Sequence, residues 1–421
     1  MASTSPAADT VRLYGQRWSR DAYAIRDFLT RSVVHFTWTD IEDDESCMRV
    51  LGRSLAEAGL PIVDLPDGTR LIDPSIAEIA ARLGWVARPK LAEYDLSVYG
   101  AGPAGLSAAV YAASEGLSVV LVEREAVGGQ AGYSSLIENY LGFPTGVSGG
   151  DLAERARQQA VKFGAELLLM RGGIAGSFTD GRIHAQLDDG TTMVAKANIC
   201  ATGVEWRRLG IDREEELLGV GVYYGAGTSE APDCAGDTVY VVGGGNSAGQ
   251  AVMNLAAYAE HVTMLVRGPD LASTLSDYLE QRVRRAPNID IRLDTRVSRL
   301  DGDTALAGLE LEDARTGRRE EVAADRLFVC IGGSPDTAWA EPTDIVCDER
   351  GYMVTGPDID AAALSKVWPL ERPPFFLETS VPGAFAAGDV RHGSVKRVAS
   401  AVGEGAMAVT FAHRYLAETF G

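Results

Sequence analysis

The stretch YDLSVYGAGPAGLSAAVYAASEGLSVVLVERE, Tyr94–Glu125, has the pattern of a strand, a tight turn, a helix and a second strand. An apolar run ends at Gly100, and Gly102 and Gly105 follow where the helix begins. Glycines let the backbone turn sharply and approach a pyrophosphate, whose charge is stabilised by the N–H groups and dipole of the helix N-terminus. The second strand ends in Glu123, 23 residues after Gly100, placed to accept hydrogen bonds from an adenosine ribose. The stretch therefore predicts a dinucleotide site; a glycine turn without a ligand is the alternative.

A second stretch, TVYVVGGGNSAGQAVMNLAAYAEHVTMLVRG, repeats this order with Gly243, Gly245 and Ala248 as its fingerprint. Alanine at the third position still allows a helix to pack closely on a strand. Two such units in one chain imply two bound dinucleotides. The second strand ends in Arg267 instead of a carboxylate, which favours a 2′-phosphate and so NADPH. Because Gly268 follows Arg267 where a second basic residue could stand, NADH stays possible, and Arg267 as a solvated surface charge is the alternative.

Composition narrows the classes of protein. A chain of 421 residues is expected to form two to four domains. Its net charge of −20 disfavours nucleic acids and anionic membrane surfaces as partners. No apolar run is long enough to span a bilayer, and the start lacks a basic segment followed by an apolar one, so a cytoplasmic protein is expected. The five cysteines include no C-x-x-C pair, which indicates neither a disulfide framework nor a metal site.

Four further segments of the sequence resemble parts of one known protein family. The stretch GGQAGYSSLIENYLGFPTGVSG, residues 128–149, resembles the segment of bacterial thioredoxin reductases that wraps the flavin of FAD. The segment NICATGVEWRRL resembles the crossover that leaves the FAD domain of that family, and RLFVCIGGSPDT the return crossover. The pair Gly388-Asp389 matches the second FAD signature, with the following helix aimed at the flavin. The resemblance spans residues 91–421.

With the two glycine motifs, this resemblance implies two sets of cofactor-binding residues. FAD is expected to contact Gly100, Gly102, Pro103, Ala104, Gly105, Glu123, Arg124, Gly129, Gln130, Asn139, Ala201, Thr202, Gly203, Gly388, Asp389, Arg397, Val398 and Ala399. NADPH is expected to contact Gly243, Gly245, Asn246, Ser247, Ala248, Arg267, Ile331 and Gly332.

The resemblance fails where the family carries its redox-active C-x-x-C. This chain has GVYYGAGTSEAPDC there, with Gly225 and Thr228 at the cysteine positions. A single thiol cannot form the intramolecular disulfide that passes two electrons on. The sequence therefore predicts no internal disulfide relay. The alternative is a displaced relay in which Cys234 pairs with Cys200 or Cys330.

The N-terminal segment, from about Thr10 to Arg88, resembles a half-size glutaredoxin or thioredoxin fold. Its pattern predicts alternating strands and helices, with helices at about Tyr23–Arg31 and Cys47–Ala58, and Pro61 resembles the family's cis-proline. In the stretch WSRDAYAIRDFL, Ser19 and Ala22 stand at the positions of the redox cysteines. Because a serine hydroxyl cannot exchange disulfides, a structural or docking domain without redox chemistry is expected.

We therefore expect an α/β protein with two Rossmann-like dinucleotide-binding domains preceded by a small thioredoxin-fold domain. The predicted domains are 1–90 (degenerate glutaredoxin/thioredoxin-like), 91–209 with 333–421 (FAD-binding), and 210–332 (NAD(P)H-binding, inserted). A homodimer is expected from the resemblance.

The predicted activity is hydride transfer from NADPH through flavin to an external acceptor, either a small molecule such as a quinone or flavin, or a partner flavoenzyme. The alternatives are a ferredoxin-linked NADP reductase, a thiol–disulfide reductase using displaced cysteines, and a non-catalytic FAD-binding redox sensor. Ferredoxins are acidic, and a chain of charge −20 would repel them. No side chain is an obvious acid or base. His392, just after the Gly388-Asp389 pair, is the nearest candidate, and a structural role for it is the alternative.

Overall fold

The computed structural model describes residues 10–85, 88–225, 227, 229–272 and 275–421. The chain divides into two compact units. The first contains the residues up to Ile79, Tyr133–Ser135 and Trp206–Gly332, and the second contains Ala80–Gly132, Leu136–Glu205 and Gly333–Gly421. Within the described ranges, no helix is long and apolar enough to cross a membrane.

The first unit begins with a four-stranded sheet in the order β2-β1-β3-β4, in which β1 and β2 are parallel and β3 and β4 run antiparallel to their neighbours. Its elements in chain order are β1 Val11–Gly15, α1 Arg20–Arg31, β2 Phe36–Asp40, α2 Asp44–Leu51, α3 Leu55–Ala58, β3 Ile62–Asp64, β4 Arg70–Ile72 and α4 Ile76–Arg82.

Two helices of this region differ from the prediction. The single helix expected over Cys47–Ala58 is two helices, because Gly52 takes a left-handed backbone (φ 70°) and ends α2. Helix α1 begins three residues earlier than predicted, since the Ser19 hydroxyl accepts a hydrogen bond from the Ala22 amide and caps it. The Leu60–Pro61 peptide bond is cis.

The second unit is built on a seven-stranded sheet. Its strands β7-β6-β5-β10-β9-β8 form one path, and β21 pairs with β10. The elements that follow α4 in chain order are β5 Tyr94–Tyr99, α5 Pro103–Ser114, β6 Val119–Glu123, α6 Gly149–Phe163, β7 Glu166–Leu169, β8 Gly173–Thr179, β9 Arg182–Leu187, β10 Thr192–Cys200 and β11 Glu205–Trp206.

Strands β5, β6, β7 and β10 are parallel and largely buried, which explains why their sequences are rich in apolar residues. Helix α6 ends at Phe163, because Gly164 takes a left-handed backbone (φ 100°) and caps it. Small residues bring helix α5 close to the last helix of the chain: a Cβ atom on Gly405 would lie 2.1 Å from the Ala104 carbonyl oxygen.

The chain then returns to the first unit and forms a five-stranded parallel sheet in the order β12-β19-β13-β14-β15, beside an antiparallel meander of β16, β17 and β18. These elements are β12 Val222–Tyr224, β13 Thr238–Val242, α7 Asn246–Leu255, β14 His261–Leu265, α8 Asp277–Arg285, β15 Ile289–Arg292, β16 Thr295–Asp301, β17 Gly308–Asp313, β18 Arg319–Ala323 and β19 Arg326–Val329.

The last elements complete the second unit, and are β20 Gly333–Ser334, α9 Ala361–Val367, β21 Ala384–Ala386 and α10 Val398–Phe420. Both units therefore contain parallel strands with a helix that begins after the carboxyl end of a central strand, and in the second unit β8 and β9 add antiparallel pairs. This is the mixed α/β fold with two Rossmann-like domains that the two glycine motifs predicted.

Candidate functional site

The first glycine turn joins β5 to α5, and each of its three glycines has a different structural role. Gly100 has a left-handed backbone (φ 99°), and a Cβ atom there would lie 2.4 Å from the Ala201 carbonyl oxygen. A Cβ atom on Gly105 would lie 1.8 Å from the Gly100 carbonyl oxygen. Gly102 has an extended backbone, and a Cβ atom there would meet no atom within 4 Å. Gly100 and Gly105 therefore shape the turn, whereas Gly102 leaves open space in front of the helix.

The N-terminus of α5 faces that space without a side-chain cap. Gly102 is the N-cap residue and Pro103 is the first helical residue, so no side chain accepts from the first amides of the helix. Uncapped amides at a helix start are the groups that bind an anion such as a pyrophosphate.

Glu123, at the end of β6, lies against the same turn. One oxygen of its buried carboxylate accepts from the Ala101 amide at 2.6 Å, and the other accepts from the Glu125 amide at 2.7 Å. These two bonds orient the carboxylate against the glycine turn. The next residue, Arg124, is half-exposed and pairs with Glu205.

The segment after β6 contacts the glycine turn. Gly129 has a left-handed backbone (φ 53°), and a Cβ atom there would lie 3.2 Å from the Gly102 Cα. The Gln130 amide donates to the Val204 carbonyl oxygen at 2.7 Å, next to the Ala201–Gly203 crossover. Thr202 lies 3.6 Å from the Cys200 sulfur, and Gly203 (φ 70°) opens onto space. Of the residues predicted in this region, Asn139 is exposed.

Helix α10 holds the Gly388-Asp389 pair beside α5. The Gly388 amide donates to the Glu404 carboxylate at 2.7 Å, and a Cβ atom on Gly388 would lie 2.9 Å from the Ala104 Cβ. Burial raises the pKa of Asp389, an effect that the nearby Lys396 ammonium opposes. Neither Glu404 nor Lys396 was predicted from the sequence. Glu404 lies on α10, and the Lys396 ammonium donates to the Asp389 carbonyl oxygen.

The start of α10 is a second uncapped helix N-terminus in this unit. Arg397 is its N-cap residue and makes no side-chain capping bond, and Val398 and Ala399 form the first turn. The three predicted residues at this helix start therefore offer amides, as the resemblance implied, and the Arg397 side chain is exposed.

His392 forms a pair with a carboxylate. Its Nδ1 lies 2.8 Å from Oδ2 of Asp348, and the imidazole is 46% exposed. Burial tends to raise the pKa of Asp348, but hydrogen bonds from His392 and from the Tyr352 and Arg350 amides outweigh it and lower that pKa. Asp348 is therefore an ionised residue that orients the imidazole, which sequence spacing gave no sign of.

The second glycine turn joins β13 to α7. Position 243 (φ 145°) has no room for a side chain. A Cβ atom there would lie 2.3 Å from the Cys330 carbonyl oxygen and 2.9 Å from the Ala248 Cβ. Ala248 is fully buried, as close packing of α7 requires. Gly245 is the extended N-cap of α7 and provides no side-chain cap.

The other residues predicted for this site lie around the same end of the sheet. The Asn246 side chain accepts from the Ser276 amide at 2.8 Å, which ties the start of α7 to the start of α8. Ser247 is exposed. Arg267 follows β14, is exposed, and has no hydrogen bond or ion pair with any described residue. Ile331 and Gly332 follow β19, and Gly332 (φ 84°) opens onto space.

Of the two positions where the resemblance places cysteines, Thr228 lies outside the described residues. Gly225 follows β12 with a left-handed backbone (φ 92°). A Cβ atom there would lie 3.2 Å from both the Trp206 and the Tyr133 rings, and these rings contact each other edge to face at 5.5 Å. A cysteine at this position would therefore be strained in its backbone and crowded at its side chain.

All five cysteines are free thiols, and four of them are buried: Cys47, Cys200, Cys234 and Cys330. Burial raises the pKa of Cys200 to about 11 and the pKa values of Cys234 and Cys330 to about 12. Cys234 donates to the Glu230 carbonyl oxygen and Cys330 to the Gly225 carbonyl oxygen. These thiols are protonated at neutral pH, and the thiol form is a poor nucleophile.

Residues 94–405 match the pyridine nucleotide-disulphide oxidoreductase family. The chain belongs to this family. As a pyridine nucleotide-disulphide oxidoreductase of the thioredoxin-reductase-like type it is a flavin-dependent enzyme, and its relatives bind FAD and NAD(P)H. The predicted family, fold class and enzyme class are thereby confirmed.

Two curated relatives of this pyridine nucleotide-disulphide oxidoreductase match it over nearly their whole length. Thioredoxin reductase of Treponema pallidum (strain Nichols) is 35% identical over 324 residues, which are 77% of this chain and 97% of the relative. Thioredoxin reductase of Peptoclostridium acidaminophilum is 32% identical over 333 residues, which are 78% of this chain and 98% of the relative.

Two solved structures have similar folds. The thioredoxin reductase of Lactococcus lactis in its FR conformation has a TM-score of 0.69 at 27% identity, covering 77% of this chain and 99% of that one. The T. acidophilum thioredoxin reductase has a TM-score of 0.68 at 30% identity, with the same coverage of both chains.

Proposed function

We propose that this enzyme accepts hydride from NADPH on a bound FAD and passes it to an external acceptor without an internal disulfide. When bound, the flavin supplies the redox chemistry, and the protein supplies binding, orientation and electrostatics. The observation that carries the proposal is Gly225: its left-handed backbone and the two rings against it leave a cysteine no unstrained place.

The second unit fits FAD. Gly102 leaves open space before the uncapped start of α5, where the amides would bind the pyrophosphate. Glu123 would accept from the ribose, and Gly129 and Gln130 border the same turn. The uncapped start of α10 would favour negative charge on the flavin ring. We infer that the FAD-contacting residues are those named from the sequence, with Glu404 as the residue that positions Gly388.

The first unit fits NADPH in the same way. The uncapped N-terminus of α7 follows Gly245, and Gly332 leaves space at the neighbouring strand end. Both lie at the carboxyl end of the parallel sheet, where such sheets bind ligands. Arg267 has an available guanidinium at the end of β14, which supports recognition of a 2′-phosphate.

The buried thiols also support an electron path that bypasses the cysteines. Protonated thiols with pKa values of about 11 to 12 exchange slowly with disulfides at neutral pH. The displaced pair of Cys234 and Cys330 is the competing hypothesis. Both belong to the same apolar cluster of the first unit, but each donates to a different backbone carbonyl and both are free thiols.

We infer that the acceptor is a small molecule such as a quinone or flavin, or a partner flavoenzyme. The chain's charge of −20 disfavours an acidic ferredoxin as the acceptor.

For the N-terminal segment we propose a thioredoxin-like fold. Its sheet order β2-β1-β3-β4, with one parallel and two antiparallel pairs, supports this proposal.

We expect NADPH to bleach the flavin faster than NADH under anaerobic conditions, and Arg267→Ala to narrow that gap. A charge-assisted contact to a 2′-phosphate contributes about 1.5–3 kcal/mol, which corresponds to roughly 10- to 100-fold in NADPH preference. Stopped-flow reduction with each donor measures the ratio. Arg318→Ala, at an exposed arginine in the turn after β17, is the matched control and should leave the ratio unchanged. Equal wild-type rates would remove Arg267 from the site, and no bleaching by either donor would refute the proposed reaction.

A further inference from the structure

Through helix α1, the N-terminal sheet domain packs on Gly219, Tyr223 and nearby residues of the same compact unit. The Tyr23 ring lies 5.2 Å from the Tyr223 ring, which in turn stacks on Phe328 at 5.1 Å. Gly219 leaves the space that Tyr23 fills, since a Cβ atom there would lie 2.5 Å from the Tyr23 ring. The two surfaces are therefore complementary in shape at Tyr23 and Gly219.

Six charged side chains surround this contact, which we call the arginine–carboxylate cluster. They are three cations and three carboxylates: Arg17, Arg26, Arg326, Glu230, Asp233 and Asp237.

The arginine–carboxylate cluster connects both sides of the interface. From the N-terminal domain, Arg26 pairs with Asp233 at 2.5 Å and Arg17 with Asp237 at 2.6 Å. Arg326, at the start of β19, pairs with the same Asp237 at 2.5 Å and donates to the Asp233 carbonyl oxygen at 3.2 Å. Asp237 therefore accepts from one arginine on each side.

Burial makes this cluster different from ordinary surface ion pairs. The side chains of Arg26 and Glu230 are 5% and 4% exposed, and that of Arg326 is 1% exposed. Charged side chains are almost never buried unless they are paired. Removing one member of a buried pair leaves the other charge uncompensated, which is strongly destabilising. A domain that undocked during turnover would have to break these pairs each time.

The docked surface also contacts residues on either side of Ser19 and Ala22, at the start of α1. Trp18, immediately before Ser19, has the Arg326 guanidinium 5.0 Å from its ring, and Tyr23, immediately after Ala22, packs on Tyr223. Ala22 itself is 1% exposed. Neighbours on both sides of these two positions thus contact the dinucleotide-binding part of the unit.

We propose that residues 11–72 are a fixed docking domain whose partner in the same chain is the surface formed by Gly219, Tyr223, Glu230, Asp233, Asp237 and Arg326. Its role is to hold that surface in place, not to shuttle electrons. This inference goes beyond the proposed function and does not depend on the identity of the electron acceptor.

Hydrogen exchange on the full-length, FAD-loaded protein tests the proposal through two segments, residues 20–31 and 219–237. In Arg26→Met, both segments should exchange faster together, by about tenfold or more, because opening the interface exposes both sides at once. The β16–β18 meander should keep its wild-type rates. Arg49→Met, at an exposed arginine on α2, is the matched control and should change neither segment.

Asp233→Asn provides a milder variant, since the Asp233 side chain is 27% exposed. It should also accelerate both segments, and the double variant should exchange no faster than the more affected single variant, because both changes break one cluster. If Arg26→Met fails to fold, the exchange rates of the Asp233→Asn protein test the proposal instead. Faster exchange of residues 20–31 with wild-type rates in 219–237 would overturn the proposal, as it would show a domain that opens alone.

Discussion

The Gly102→Val protein should fold and purify without flavin. The extended backbone at Gly102 accepts valine, and the new Cβ atom meets no protein atom within 4 Å, so the substitution places no strain on the protein itself. The same Cβ atom occupies the space before the uncapped amides of α5, which a pyrophosphate needs. We expect FAD affinity to fall by about 100-fold or more, equivalent to about 2.7 kcal/mol, with near-wild-type thermal unfolding of the apoprotein.

Two further glycine variants separate ligand exclusion from damage to the fold. Gly176→Val, on strand β8 of the same unit, also enters open space and should leave the protein yellow with full flavin content. Gly105→Val should prevent folding, because its Cβ atom would lie 1.8 Å from the Gly100 carbonyl oxygen. Flavin content and circular dichroism of the three proteins give the comparison. A Gly102→Val protein with wild-type flavin content would exclude this turn from the cofactor site.

The second large effect is expected at the other glycine turn. Gly245→Val should retain FAD but lose rapid reduction by NADPH, by about 100-fold or more in rate. Gly245 has an extended backbone that valine can adopt, and its side chain would project at the uncapped start of α7. Anaerobic stopped-flow measurement of flavin bleaching gives the rate.

Reduction by dithionite is the control for Gly245→Val, because it requires no nucleotide site, and it should proceed as in the wild type. Gly243→Val should instead disrupt the fold, since its Cβ atom would lie 2.3 Å from the Cys330 carbonyl oxygen. If NADPH reduced the flavin of Gly245→Val at the wild-type rate, the nucleotide site could not lie at this turn.

Both glycine turns could be predicted from the sequence because their geometry is local. Gly100 and Gly105 contact each other across five residues, and β6 delivers Glu123 to the turn within the same strand–helix–strand unit. Apolar runs of parallel strands and small-residue helices are likewise visible in a single stretch. The fold class and family followed from these local signals.

Contacts between distant segments could not be predicted in the same way. Glu404 supports Gly388, and Asp348 orients His392 across 44 residues of sequence. Arg26 meets Asp233 across 207 residues. No periodicity or spacing connects such pairs, since they depend on how complete elements pack.

The ends of helices are also hard to predict from the apolar pattern of the sequence. Gly52 and Gly164 adopt left-handed backbones that end α2 and α6, whereas the apolar pattern continues past both. Periodicity alone extends a helix through such positions, although glycine after a periodic segment is a recognised stop signal.

The central claim is that electrons pass from NADPH to flavin to acceptor without a protein disulfide, and an anaerobic count of electrons tests it most directly. A flavin alone takes up about two electrons, and a flavin with a disulfide relay about four. NADPH titration of the oxidised wild type should end at about one equivalent per FAD, and the variant with all five cysteines replaced by serine or alanine should give the same end point. An end point of about two equivalents in the wild type, falling to one in the cysteine-free variant, would contradict the account and reveal a hidden disulfide.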